Sequence, residues 1–190
     1  MEEFLHINKT FEKVLYTNQR VNGREFDGCI FKNCDFSNSN FSDTIFIDCE
    51  FIDCNLANMK LLNSSLKSVS FKDCKILGIL FNECADFLFA VTFTDSMLDY
   101  SSFINKKMPK TVFANCSMRE TNFSGTTLTK SMFDNCNLDN AIFNATQLGE
   151  ADFRTAYNYK IDPEYNPMRK AKFSTSGIPG LLEKYDIRIN

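Results

Sequence analysis

The residues of this chain that could do chemistry are few and evenly spaced. Its 190 residues include one histidine, His6, and eight cysteines: Cys29, Cys34, Cys49, Cys54, Cys74, Cys84, Cys116 and Cys136. A serine or cysteine nucleophile needs a positioned base, and a lone histidine near the N-terminus reads as a bystander. The cysteines form no CxxC pair and no Cys/His cluster at zinc-ligand spacing, so neither metal nor cofactor is expected. The glycines form no loop able to cradle a phosphate. The carboxylates Asp43, Asp48 and Asp53 recur five residues apart, strung along the chain instead of gathered for acid-base work. These observations point to a non-enzymatic binding surface.

The elements that must position these residues follow from a second periodicity. Phe26, Phe31, Phe36, Phe41, Phe46, Phe51, Leu56, Leu61, Leu66, Phe71, Ile76 and Phe81 are each five apart, and the series resumes at Phe93 and runs through Phe153. An amphipathic helix alternates steps of three and four and a half-buried strand repeats at two, so five fits neither. A repeat this short buries its large residue only if the chain turns a corner each time and coils around an axis. Positions twenty apart then stack: Phe31, Phe51 and Phe71 form one column, and Phe93, Phe113, Phe133 and Phe153 another. Sorting like with like at twenty favours four sides over three. Cys, Ser, Thr and Ala two places before the large residue fit the tight inner space, cysteine acting as a small hydrophobe. The expected fold is all-β, a quadrilateral β-helix of about six and a half coils and roughly 30 Å.

The whole chain, 1–190, is expected to form one domain. Residues 1–22 would cap the coil, with Phe11 and Val14 covering it, and the coil proper would span 23–156. From Phe81 to Phe93 is twelve residues instead of ten, so 82–92 should bulge or bend the rod, and two readings stand: a place for function, or plain repacking of Phe87, Leu88 and Phe89. Lys106, Lys107 and Lys110 read as a solvated basic corner. The tail, 157–190, includes a short helix from about Pro179 to Tyr185, then Ile187 and Ile189 on one face. That apolar tail suits a cap and a twofold contact equally.

Charge is the informative surface feature. The net charge is −3, against a generic phosphate-neutralising nucleic-acid binder, so no direct nucleic-acid contact is expected. Between residues 23 and 53 lie seven carboxylates, Glu25, Asp27, Asp35, Asp43, Asp48, Glu50 and Asp53, against only Arg24 and Lys32. Two readings of Asp43, Asp48 and Asp53 stand: turn chemistry at bends, where Asn and Asp hydrogen-bond their own backbone, or an acidic face for a basic groove. The start lacks a basic region followed by an apolar run, and no stretch approaches a membrane span, so a cytoplasmic location and no membrane partner are expected.

The stretches "CDFSNSNFSDTIFIDCEF", "TNFSGTTLTKSMFDNCNLDNAIF" and "EADFRTA" resemble the pentapeptide-repeat family over roughly 23–156, which implies a right-handed four-sided β-helix. The broken lattice, "MPKTVF", "NYKIDPEYN" and "LLEKYDIRIN" together resemble its Qnr-type quinolone-resistance and microcin-immunity branch. That resemblance implies a DNA-mimicking partner of type II topoisomerase (DNA gyrase), protecting it from a poison. The acidic residues named above would then face the enzyme, and Leu181, Leu182, Tyr185 and Ile187 would lie at a homodimer contact. The alternative is a general interaction scaffold unrelated to topoisomerases.

Overall fold

The chain turns a corner every five residues because a left-handed residue recurs every five. Asn33, Asn38, Asp43, Asp48, Asp53, Asn58 and Asn63 all have φ between 49° and 58°, a region that L-residues other than Asn, Asp and Gly enter at a cost. At two corners glycine makes room for the coil before: a Cβ on Gly28 would meet Asn8 Oδ1, and one on Gly125 Asn105 Oδ1, so those amides would have to move. Between corners lie extended pieces of two to four residues.

The computed structural model describes residues 4–188. The first four coils carry strands in pairs: β1 (Leu5–Ile7) and β2 (Thr10–Glu12), β3 (Glu25–Asp27) and β4 (Ile30–Lys32), β5 (Ile45–Ile47) and β6 (Glu50–Ile52), β7 (Ser65–Lys67) and β8 (Val69–Lys72). The later coils carry β9 (Val91–Thr94), β10 (Val112–Ala114), β11 (Met132–Asp134), β12 (Asp152–Phe153) and β13 (Lys172–Phe173). Among the described residues every strand pairing is parallel, in steps of twenty such as Phe11↔Phe31 and Phe31↔Phe51, except β8 with β9, which steps by twenty-two, as in Phe71↔Phe93. The first wall is the four-stranded sheet β1-β3-β5-β7, and the second is a nine-stranded sheet from β2 to β13. Single bridges such as Asp35↔Asn55 and Asn40↔Lys60 hold the third and fourth walls. Nine strands at roughly 4.8 Å spacing make a rod about 38 Å long.

The interior is filled by columns of rings. On the second wall Phe11, Phe31, Phe51, Phe71, Phe93, Phe113, Phe133, Phe153 and Phe173 stack with centroids 4.5–5.5 Å apart and interplanar angles of 2–16°. Parallel pairing in register imposes this, because equivalent side chains must sit one strand spacing apart. The two columns expected from the sequence are one. The two extra residues are absorbed on the first wall, between β7 and Met108, so Phe71 stacks on Phe93 and Phe81 on Phe103 as if the break were absent.

The lattice starts earlier and ends later than the sequence periodicity suggests. Residues 5–21, expected as a cap over 1–22, are the first coil in full register, with His6, Phe11, Tyr16 and Val21 at the large places. Phe11 and Val14 do pack on the core; imidazole, phenol and Val at three of the four places hid the repeat. After Phe153, Tyr159 and Ile161 are buried, and Phe173 closes the column. The prolines of this stretch obscured that coil. The rod then ends on α1 (Pro179–Leu182) and a 3-10 turn, Glu183–Tyr185. Ile189 lies outside the described residues.

At 82–92 the repacking is divided. Phe89 fills the interior, edge-on to Phe81 at 6.4 Å, whereas Phe87 and Leu88 are 72% and 62% exposed. Lys106, expected in a solvated corner, is 2% exposed, while Lys107 and Lys110 face solvent. The bulge leaves the space that admits the Lys106 side chain.

Candidate interaction surface

Inside the rod, the place two before a large residue has a chemical duty besides its size wherever it holds threonine, serine or cysteine. Thr121, Thr126 and Thr146 donate from Oγ1 to the carbonyls of Leu98, Phe103 and Phe123 at 3.0, 2.8 and 2.8 Å. Ser64 and Ser101 do the same toward Phe41 and Ile76. The cysteines occupy equivalent geometry: Cys49 Sγ donates to the Phe26 carbonyl at 3.3 Å and Cys74 Sγ to that of Phe51 at 3.4 Å. Each of these donors reaches a carbonyl of the preceding coil; those of Leu98, Phe103 and Phe123 also accept the amides of Ser101, Lys106 and Thr126, and the hydroxyl is a second partner there. All eight cysteines are buried free thiols. Burial pushes the Cys49 and Cys84 thiols up to about 12, so they are protonated and inert at neutral pH. Among the described residues no group of three or more His, Cys, Asp and Glu is placed to hold a metal ion, and no helix is long and apolar enough to cross a membrane. His6 stacks on Phe26 at 4.8 Å as part of the core.

The acidic residues lie on the outside of the second and third coils. Glu25 and Asp27 flank Phe26 on the first wall, and Asp43 and Asp48 are the corners on either side of that wall. Glu50 is on the second wall and Asp53 at its far corner. Asp35 is on the third wall. The seven therefore form a band around three sides. Asp43, Asp48, Glu50 and Asp53 are exposed, and Glu25, Asp27 and Asp35 half-buried.

Turn chemistry operates at two places. Asp43, Asp48 and Asp53 hold left-handed corners with φ of 57°, 49° and 51°, and corner side chains link coil to coil, as Asn63 Nδ2 does to Asp43 Oδ1 at 3.3 Å. The second place was not expected: an Asx residue immediately before the large residue accepts the amide just after it. Asp35 accepts from Ser37 N at 2.8 Å and Asn40 from Ser42 N at 2.9 Å. Partial burial works against the Asp35 charge, yet hydrogen bonds from Ser37, Thr17 and Asn55 outweigh it and hold the carboxyl below its ordinary range. The signal was present as Asx directly preceding Phe or Leu.

The tail folds back on the rod. Leu181 and Leu182 are half-buried, Leu181 against the core. Lys184 bridges Asp162 and Glu164 at 2.8 and 2.7 Å, Lys160 pairs with Glu183 at 2.6 Å, and the Tyr185 hydroxyl bonds Glu164 at 3.0 Å. The Tyr185 ring and Ile187 remain 52% and 56% exposed. Asp99, missed by sequence reasoning, is 1% exposed, paired with Arg119 at 2.7 Å and accepting a hydrogen bond from Ser117 Oγ at 2.6 Å; its place is structural.

A rod of parallel coils five residues to a side, with apolar columns and Asx corners, is the architecture of a pentapeptide-repeat solenoid. The family profiles agree: a pentapeptide repeat region matches residues 24–103, and pentapeptide repeats match 96–131, 110–144 and 121–156. The chain belongs to the pentapeptide-repeat family. Among solved structures it is similar to a trypsin-treated form of QnrB1, a plasmid-mediated fluoroquinolone resistance protein, at 18% identity, 98% of this chain, 91% of that chain and a TM-score of 0.72. Full-length QnrB1 matches at 18% identity, 96% and 100% coverage and a TM-score of 0.57. HetL, a pentapeptide-repeat protein involved in heterocyst differentiation regulation from the cyanobacterium Nostoc sp. strain PCC 7120, matches at 14% identity, 90% and 88% coverage and a TM-score of 0.53. No curated protein matches at the sequence level. At these identities the structural likeness concerns the fold.

Proposed function

We propose that this protein is a non-enzymatic, cytoplasmic binding protein that engages a type II topoisomerase such as DNA gyrase at its DNA-binding groove and protects it from a poison. The acidic band carries this reading. Seven carboxylates, against Arg24 and Lys32, occupy about one and a half coils, roughly 7 Å of rod. Their net linear charge density is of the order of the duplex value, one negative charge per ~1.7 Å. The corners that hold Asp43, Asp48 and Asp53 are fixed by backbone geometry, so the charges are presented without the ordering cost that loops incur. The likeness of the whole rod to QnrB1, described as a fluoroquinolone resistance protein, supports the same reading.

The tail fits the same scheme as a homodimer contact, with Tyr185 and Ile187 exposed beside the half-buried Leu181 and Leu182. A twofold axis there would double the rod to about 75 Å. The second reading, a scaffold for another partner, is favoured by the likeness to HetL, whose description concerns differentiation. A supercoiling assay with purified gyrase and a quinolone separates them. Restored supercoiling at micromolar protein is expected, and no restoration together with no binding to gyrase favours the scaffold.

A further inference from the structure

We propose that Lys106 is a buried latch that fixes the conformation of the 82–90 bulge, replacing across a longer gap the hydroxyl or thiol that joins successive coils elsewhere. Lys106 stands two places before Met108, the place held by Cys116, Thr121, Thr126 and Ser131 in the coils that follow. There the short donor reaches the carbonyl of a large residue on the preceding coil, as Thr126 reaches Phe103. By that pattern the partner above Lys106 would be the carbonyl of Phe81, which keeps its register on Phe103 and already accepts Cys84 N at 3.0 Å; the inserted residues place the Cys84 carbonyl and Asp86 within reach of the lysine instead.

The lysine reaches both. Its Nζ donates to the Cys84 carbonyl, and to Asp86 Oδ1 at 2.7 Å, and lies 4.9 Å from the centroid of the Phe89 ring. A 2% exposed ammonium is costly unless paired, and a carbonyl, a carboxylate and a ring face together supply that pairing. Each of the three belongs to the bulge, so the charge is satisfied in one bulge conformation. In that conformation Phe89 is drawn inside, Leu88 is held at φ 58°, and Phe87 is turned out beside Lys67, whose Nζ lies 5.6 Å from its ring centroid. The insertion and the lysine are thus a compensating pair: each is unfavourable without the other.

The test is amide hydrogen exchange resolved by segment, on the full chain. Lys106→Met keeps the stem and removes the charge, and Asp86→Asn, at an 80% exposed side chain, weakens the latch without touching the core. Exchange across 84–90 is expected to rise at least tenfold in Lys106→Met and by less in Asp86→Asn, with amides of β10 and β11 unchanged. Deleting Phe87 and Leu88 restores the twenty-residue spacing; in that background Lys106→Thr should raise the unfolding midpoint, whereas in the intact chain it should lower it. Unchanged exchange at 84–90 in both point variants overturns the proposal. So does a Lys106→Thr effect of the same sign with and without the deletion. If Lys106→Met fails to fold, the Asp86→Asn exchange and the deletion pair decide.

Discussion

Where threonine, serine or cysteine holds the inward place two before a large residue, it can do two jobs at once: fit the tight corner and donate to the coil before it. Threonine satisfies both, and so does cysteine, whose thiol is a weaker donor. Thr146, fully buried and bonded to the Phe123 carbonyl, tests the second job. Thr146→Val keeps the shape and removes the hydroxyl, leaving the Phe123 carbonyl with the Thr126 amide alone, so a loss of about 1 kcal/mol is expected in denaturant unfolding, while Thr146→Ser should cost less. The thiols set a pH limit. Cys49 and Cys84, at about 12 in the folded protein, lie above the ordinary thiol value of 9.0. The folded state therefore holds protons that the unfolded chain releases. Their contribution is intact below about pH 9 and is lost as pH rises toward 12. Unfolding midpoints measured across that window should fall, and less steeply in Cys49→Ala; a midpoint flat from pH 9 to 11 would contradict this.

At the scale of the element, the corner decides. Asp48 has φ 49°, so Asp48→Asn should leave thermal stability within about 0.5 kcal/mol, whereas a β-branched Asp48→Val should lose roughly 1–3 kcal/mol. The same residues show how much was legible from sequence. Phe at every fifth place, and like over like at twenty, announced the coil, its four sides and its columns, because burial leaves a compositional trace at each repeat. His6, Tyr16, Tyr159 and Asn166 carried no such trace. Asn166 is fully buried, accepting from Thr146 N and donating to the Phe143 carbonyl, in a stretch the sequence assigns to the tail. Lys106 was misread for the same reason: composition assigns lysine to solvent, and the structure buries it against a carboxylate. The acidic residues were legible as a cluster in sequence, but their distribution over three walls follows from which wall or corner each occupies.

For the whole molecule, the rod is a rigid stack whose two ends differ, the last coil being covered by α1 and the ion pairs around Lys184. If the tail is also a twofold contact, sedimentation should show a dimer that Ile187→Glu reduces to monomer without changing the unfolding midpoint, since Ile187 is 56% exposed. A monomer at all concentrations would leave the tail as a cap. The acidic band is read as a stand-in for duplex DNA, and competition binding to gyrase tests that most directly. The wild-type protein and the triple variant Asp43→Asn, Asp48→Asn, Asp53→Asn would be titrated against a labelled duplex, asparagine being chosen because it keeps the left-handed corners. The account predicts that the wild type displaces the duplex and that the variant, equally stable, needs at least tenfold more protein to do so. Binding that leaves the duplex in place, or displacement unaffected by the three substitutions, would contradict it.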